Sequence, residues 1–460
     1  MEILRPFWHE KLQRAWSRVP IAWLSGVRRV GKTTLARSLD QALYLSCDLP
    51  STAERVADPE RFLRSVEASV LILDEIHQLA DPSRFLKIAA DAYPRLKVLA
   101  TGSSTLAATQ KFRDSLTGRK QMVHLQPVLV RELAAFGVKD LRRRLLRGGL
   151  PPALLAEQRE PEFYAEWLDS FYARDVQELF RVEKRSAFLR LVELLLRQSG
   201  GLCDFTSIAR ACELSRPTVM NYVEVLQVTH AVTLLRPYHG SGKQELVRQP
   251  KVYGFDSGFV AYCRGWNELR SEDCGLLWEH LVLETLTASF PARAVHYWRD
   301  KQQREVDFVL PAGRNAADAI ECKWSVSSFD PKGVFAFRET HASGRKFVVV
   351  PDLPAPLERK HGKLKVTFLS LEALEKLSAQ DSCEPAAAGL CYRRLRSRTA
   401  TTSPSKVRAR QPPEVEPPAI EQPLPLAESP AVPAASKLPP ASRLATAGGA
   451  SGLVPASGTT

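Results

Sequence analysis

The chain has 460 residues, 64 of them lysine or arginine and 51 acidic, for a net charge of +13 and a hydrophobic content of 44%. That is enough apolar material for two to four packed domains of about 150 residues each, and the basic balance admits a nucleic-acid or acidic partner. Eight scattered cysteines without a C-x-x-C pair argue against a zinc module and for reduced thiols in the cytoplasm. Met1–His9 lacks a signal h-region, and no apolar run approaches the ~18 residues of a membrane span, so no membrane partner is expected.

In chain order, the first informative stretch is Ile21 to Leu35: an apolar strand, a loop of the form G-x-x-x-x-G-K-T, and the start of a helix. Gly26 and Gly31 let the backbone curl so that its N–H groups face a phosphate chain. The loop residues Arg28, Arg29, Gly31, Lys32, Thr33 and Thr34 are expected to bind the nucleotide. Lys32 would reach the β- and γ-phosphates, and the Thr33 hydroxyl would take one position on Mg²⁺.

The next apolar run, Ser69 to Leu73, ends in Asp74 and Glu75 and reads as a buried parallel strand. Ligands bind at the carboxyl ends of such strands. Asp74 would hold the Mg²⁺ shell, and Glu75 would orient or deprotonate an attacking water. A third strand, Leu96 to Ala100, leads into Thr101-Gly102-Ser103-Ser104. Ser103 and Ser104 are candidates to sense the γ-phosphate, or to cap the following helix.

These residues carry a resemblance. Gly26 to Thr34, Leu73-Asp74-Glu75-Ile76-His77 and Thr101 to Ser104 resemble the AAA+ branch of P-loop ATPases. They are most similar to a large group of prokaryotic predicted ATPases that pair an N-terminal AAA-type domain with a C-terminal domain of unknown function. Ser115-Leu116-Thr117-Gly118-Arg119, Arg131-Glu132-Leu133, Gly148-Gly149-Leu150-Pro151 and Tyr172-Ala173-Arg174-Asp175-Val176 fit the same group, so that the resemblance covers about residues 5–375. It implies ATP and Mg²⁺ as ligands and Arg119 as a phosphate sensor or arginine finger. A guanidinium suits that role because it stays charged and forks onto phosphate oxygens. The alternative is a surface arginine beside Lys120.

The rest of the chain divides by texture. Residues 1–135 alternate strands and helices as a parallel sheet does. Residues 136–198, rich in Leu, Arg and Glu at helical spacing, form a helical subdomain in the lid position. Residues 199–250 read as a winged helix: a helix over 204–212, a turn, a helix over 216–226 capped by Ser215, then a strand. Arg216, Thr218, Asn221 and Tyr222 would face a major groove, and His239, Lys243, Arg248 and Lys251 would touch phosphates from the wing. The alternative is a structural spacer.

Residues 251–377 place Asp307 on one strand and Glu321-Cys322-Lys323 on the next, the layout of PD-(D/E)xK nucleases. Asp307, Glu321 and Glu279 on the preceding helix would bind a divalent ion through hard oxygens. Lys323, on the same strand face as Glu321, would position the water. The resembling group is assigned this nuclease-like fold, which also serves as a binding platform, and two edge strands with solvated charges remain the structural alternative.

Residues 378–460, dense in Pro, Ala, Ser and Thr, are expected to be a disordered tail with a basic head that includes Arg393, Arg396 and Arg408. The expected architecture is α/β: an AAA+-type parallel sheet with helical lid, a winged helix, a PD-(D/E)xK-like domain and a tail. The expected function is Mg-ATP binding and hydrolysis. A nucleotide-gated binding module and an ATP-regulated nuclease are the rivals. DNA, RNA, a protein client and further copies of the chain stay open as partners.

Overall fold

The computed structural model describes residues 3–102, 116–177, 180, 182, 184–240, 249–291, 293–313 and 316–381. Expectations placed on Ser103, Ser104, Lys243, Arg248 and the tail beyond 381 fall outside the described residues. The tail boundary expected at 378 needs one correction, because a helix continues from Leu371 to Asp381.

The amino-terminal sheet consists of β1 (Ile21–Ser25), β2 (Ala42–Ser46), β3 (Val70–Asp74), β4 (Lys97–Thr101) and β5 (Lys120–His124). All pairs are parallel, in the order β2-β3-β4-β1-β5. Every residue of β1 and β3 is buried, because helices cover both faces. Side chains alternate between those faces. Ala22 and Leu24 pack with Trp8 and Leu12 on one side, whereas Ile21 and Trp23 pack with Phe62, Phe85 and Leu86 on the other. Parallel register brings the carboxyl ends together: Leu24 lies opposite Thr101, Ser25 opposite His124, and Ser46 opposite Asp74. That shared edge is where the loop 26–31 begins.

Helices Leu141–Arg147, Pro151–Leu155, Pro161–Phe171 and Arg185–Arg197 follow, with a π-helical turn over Tyr172–Gln177. Two of these start on proline, whose fixed φ and missing N–H suit the first helical turn. Helix Phe205–Ala211 is capped by Asp204, and helix Arg216–Val228 by the Ser215 hydroxyl, which accepts from Thr218 N. The chain then forms an antiparallel pair, β6 (Val232–Leu235) with β7 (Lys251–Gly254).

The carboxyl-terminal sheet contains β8 (His296–Arg299), β9 (Glu305–Pro311), β10 (Ala317–Cys322), β11 (Lys346–Val349), β12 (Leu357–His361) and β13 (Leu364–Leu369), in the order β12-β13-β11-β10-β9-β8. Strands β8, β9 and β10 form an antiparallel meander, and β10, β11 and β13 are parallel neighbours. Helix Ser271–Ser289 precedes the meander, and helix Lys332–Thr340 joins β10 to β11. Lys323, expected on a strand, sits one residue past the end of β10.

The helical segment interlocks with the start of the carboxyl-terminal region at backbone level. Gly149 N donates to Asp256 Oδ2 at 2.6 Å, and a Cβ on Gly148 would collide with the same carboxylate. Gly258 packs against the Arg147 carbonyl so closely that no Cβ fits there. Beneath them the buried Arg144 donates to Val128 O at 2.7 Å, Ser257 Oγ at 3.0 Å and Glu284 Oε2 at 2.6 Å.

Candidate active site

The loop after β1 has the backbone its glycines predict. Gly26 has φ 148° and Gly31 φ 97°, and a Cβ on Gly26 would stand 2.7 Å from the Leu125 carbonyl oxygen. Arg29 also adopts a left-handed φ of 61°, a conformation a side chain rarely takes without outside support. The support comes from the helical segment: Arg29 pairs with Glu166 at 2.9 Å, and its guanidinium lies over the Phe163 ring. Arg28 donates to Asp175 Oδ2 at 2.5 Å, and Trp167 Nε1 donates to the Arg28 carbonyl at 3.1 Å. Lys32 opens the next helix, and its ammonium donates to the carbonyls of Gly26 at 2.9 Å and Val27 at 3.2 Å. Burial pushes this ammonium below the usual lysine range, against the pull of Glu75.

Asp74, at the end of β3, is the hub of the site. Its carboxylate accepts from Thr33 Oγ1 at 2.9 Å, from the Tyr44 hydroxyl at 2.7 Å, and from the Thr101 hydroxyl. Thr101 Oγ1 in turn accepts from Glu75 N at 3.0 Å. Glu75 takes a left-handed φ of 55°, which turns its side chain off the strand, and His77 Nδ1 lies 3.2 Å from its Oε2. Burial raises the Glu75 carboxyl above its ordinary range, with Lys32 and His77 opposing.

A cavity of about 1000 Å³ opens over these groups. Arg28, Arg29, Gly31, Lys32, Thr33, Thr34, Glu75, His77 and Arg174 are among the residues that line it. At its root, His124 Nδ1 sits 3.2 Å from Ser25 Oγ, and its ring stacks on His230 with centroids 3.8 Å apart. Burial depresses both imidazoles, His230 to about 4, so that both are neutral at neutral pH.

The structure thus brings Gly26, Arg28, Arg29, Gly31, Lys32, Thr33, Thr34, Asp74 and Glu75 into one place. It does not bring Arg119 there. Ile21 N donates to the Arg119 carbonyl at 3.3 Å, which puts Arg119 at the sheet edge opposite the loop. Its guanidinium pairs with Asp91 at 2.6 and 3.0 Å. Within one chain it therefore has no reach to phosphates. The polar residue at the end of β4 that bonds to the acids is Thr101. A hydroxyl ending a parallel strand was the signal for it. Tyr44, His77, Arg174 and the His124–His230 pair carry no such local signal, because their placement depends on tertiary packing.

The second expected cluster also assembles, with a different chemistry. Lys323 Nζ lies 2.6 Å from Glu321 Oε2 and 3.2 Å from Asp307 Oδ2. Asp307 also accepts from Cys322 N at 2.7 Å, and Glu279 from the Tyr253 hydroxyl at 3.2 Å. Burial raises Glu279 to about 7 and Glu321 to about 8, with the Asp307 charge adding to both. Asp307 is lowered against its own burial by Lys323 and Lys251. Among the described residues, no three His, Cys, Asp or Glu side chains converge as a metal set. The expected metal triad of Glu279, Asp307 and Glu321 is thus corrected: the Lys323 ammonium occupies the place a cation would take between the acids.

Three residues expected at a nucleic-acid face are also corrected. Lys251 is buried and paired with Glu305, Tyr222 packs on Phe188 at 5.3 Å, and the Thr218 hydroxyl bonds the Ser215 cap at 2.7 Å. Arg216 and Asn221 are exposed.

Residues 18–134 match the family described as AAA domain, so the fold and the site define a chain with an AAA-type domain. Residues 138–270 and 274–366 match two domains of unknown function, DUF8612 and DUF4143. The uncharacterized proteins Rv2008c of Mycobacterium tuberculosis and Mb2031c of Mycobacterium bovis are each 30% identical over 319 residues, spanning 66% of this chain and 70% of the relative. The chain belongs to the same family as these two proteins. The uncharacterized protein MJ1637 of Methanocaldococcus jannaschii is 24% identical over 287 residues, 50% of this chain and 59% of its own length. Among solved structures, Thermotoga maritima RuvB is 17% identical, with a TM-score of 0.27 over 51% of this chain and 90% of that one. A replication initiator DnaA bound to AMPPCP and single-stranded DNA is 16% identical, with a TM-score of 0.23 over 48% and 86%. Likenesses this loose transfer no activity.

Proposed function

We propose that the chain binds Mg·ATP in the cavity over residues 26–34 and hydrolyses it. The observation that carries the reading is the meeting of Thr33 Oγ1 with Asp74 at 2.9 Å, beside Glu75 and the phosphate loop. Both are hard oxygen donors, and two protein ligands suffice for Mg²⁺ when phosphates and waters complete its shell. Bound there, the ion neutralises phosphate charge. Lys32 exchanges its two loop carbonyls for phosphate oxygens. Glu75, made more basic by burial, orients the water and takes its proton. Tyr44 and Thr101 hold the Asp74 carboxylate in place.

The downstream parts read as effectors. The helix–turn–helix and the β6–β7 pair support a winged helix. Helix, antiparallel meander, helix and parallel strand support a PD-(D/E)xK-like fold for residues 271–349. With Lys323 between its acids, that fold favours a binding platform over a metal-dependent cutter. The described cysteines are all free and buried, and no described helix is long and apolar enough to cross a membrane. A cytoplasmic ATPase fits both observations.

The test is ATP turnover by the full chain with Mg²⁺, with and without DNA or RNA, beside Lys32→Ala and Glu75→Gln. Turnover lost in both variants supports the reading. Turnover that survives in both refutes it. Nucleotide binding without turnover under every condition favours a gated binding module. Nucleic-acid cleavage that is lost on Asp307→Ala would replace the platform reading with a nuclease.

A further inference from the structure

We infer that Arg174 is the guanidinium that contacts the γ-phosphate, so that the helical segment itself distinguishes ATP from ADP. The inference rests on the nucleotide-site reading above and assigns the phosphate-reading role that Arg119 is too distant to fill.

The argument is a census of the positive groups lining the cavity. Arg5 is buried against Glu132, its Nη2 at 2.7 Å. Arg28 is bound to Asp175, Arg29 to Glu166, and Lys32 to the Gly26 and Val27 carbonyls. Arg174 lines the same cavity and is exposed, and among the described residues it has no hydrogen-bond or ion-pair partner. It is the one lining arginine that a ligand engages without first breaking an ion pair. An unpaired arginine facing a phosphate loop places an always-charged, forked donor where the loop itself supplies backbone N–H groups.

Its carrier is unusual. Residues Tyr172–Gln177 form a π-helical turn, a distortion that re-aims side chains and recurs at functional sites. Tyr172 and Val176 anchor the turn in the core, and Asp175 ties it to the loop through Arg28. Arg174 is therefore held beside the loop by its two neighbours, and its own side chain is left to the ligand. A terminal phosphate recruited by Arg174 draws on the helix Pro161–Phe171 directly behind it.

The experiment compares the parent chain with Arg174→Ala, Arg174→Lys and Lys32→Ala. It measures affinity for mant-ATP and mant-ADP, steady-state turnover, and melting temperature. Arginine contacts to a transferring phosphoryl group are worth about 10³–10⁵ in rate where measured. Arg174→Ala is expected to lower kcat at least about 100-fold and to abolish any preference for ATP over ADP. ADP affinity should stay within about threefold and the melting point should not move, while Arg174→Lys recovers only part of the rate. Unchanged kcat and unchanged ATP preference in Arg174→Ala overturn the inference and leave the nucleotide site intact. Equal losses of ADP and ATP affinity also overturn it, because they mark a structural role. A parent chain that binds nucleotide no better than Lys32→Ala overturns the site and the inference together.

Discussion

Arg144→Met tests whether the network under Gly148 and Gly149 holds the helical segment to the carboxyl-terminal region. Arg144 is fully buried and donates to Val128 O, Ser257 Oγ and Glu284 Oε2. Methionine fills most of the volume and leaves three acceptors short of a donor. An orphaned buried acceptor costs about 1–3 kcal/mol, and breaking a buried charge pair about 3–5 kcal/mol. Burial pushes Glu284 to about 8 even beside the guanidinium. At pH 6 the orphan therefore holds a proton, and the cost sits near 3 kcal/mol. A raised carboxyl contributes stability that is full below its unfolded value of 4.5 and is lost as pH rises through about 8. Without the guanidinium the folded value climbs further, so the deficit widens from pH 7 to pH 9. At about 2.1 cal/mol/K per residue, a cooperative unit of about 390 residues has an unfolding entropy near 0.8 kcal/mol/K. A loss of about 3–5 kcal/mol then lowers the melting point by about 4–6 °C. Thermal unfolding at pH 6, 7.5 and 9 measures this, with Arg144→Met/Glu284→Leu expected to regain at least half. A single variant that melts within about 1 °C of the parent at every pH, or a double variant no better than the single, refutes the reasoning.

Three further outcomes follow from the site. Glu75→Gln should keep nucleotide binding and lower kcat by about 10²–10⁴, read by fluorescent-nucleotide titration beside steady-state turnover. Because burial raises Glu75, the acid limb of the kcat/KM profile should lie above 4.5, and His77→Ala should move it to higher pH by removing a group that lowers Glu75. Gly26→Ala puts a Cβ 2.7 Å from the Leu125 carbonyl at a φ of 148°, so nucleotide affinity should fall at least about tenfold in the same titration. Gly148→Ala, blocked by Asp256 and held at φ 80°, should destabilise by about 2–4 kcal/mol in thermal unfolding.

The parts of the site legible in the sequence are those whose chemistry is local. A glycine-bounded loop between an apolar strand and a helix names its own function, and acids at a strand end name theirs. Arg119 misled because a phosphate-suited residue type says nothing about which end of its strand it occupies. Arg119 precedes β5, at the wrong edge. Lys323 misled for a related reason: the spacing of Glu321 and Lys323 gives a shared face but not the salt bridge that closes it. Lys251 reads as a surface base until Glu305 takes it inside. The strands β11 to β13 were not marked in advance, although their parallel partners now define the carboxyl-terminal sheet. Long-range pairing of this kind leaves no trace in spacing.

The close approach of Gly148, Gly149 and Gly258 to their neighbours also limits how this chain can be recombined. The sequence reads as modules joined near residue 250, but the fit there is shared between residues 144–149 and 256–258. A graft that cuts at 250 keeps one half of that fit and imports a stranger for the other. Any incoming side chain at the glycine positions would meet a carboxylate or a carbonyl head-on. Exchange of the carboxyl-terminal half between relatives should therefore succeed only when the donor supplies both strips. Selection would see them as a single heritable part.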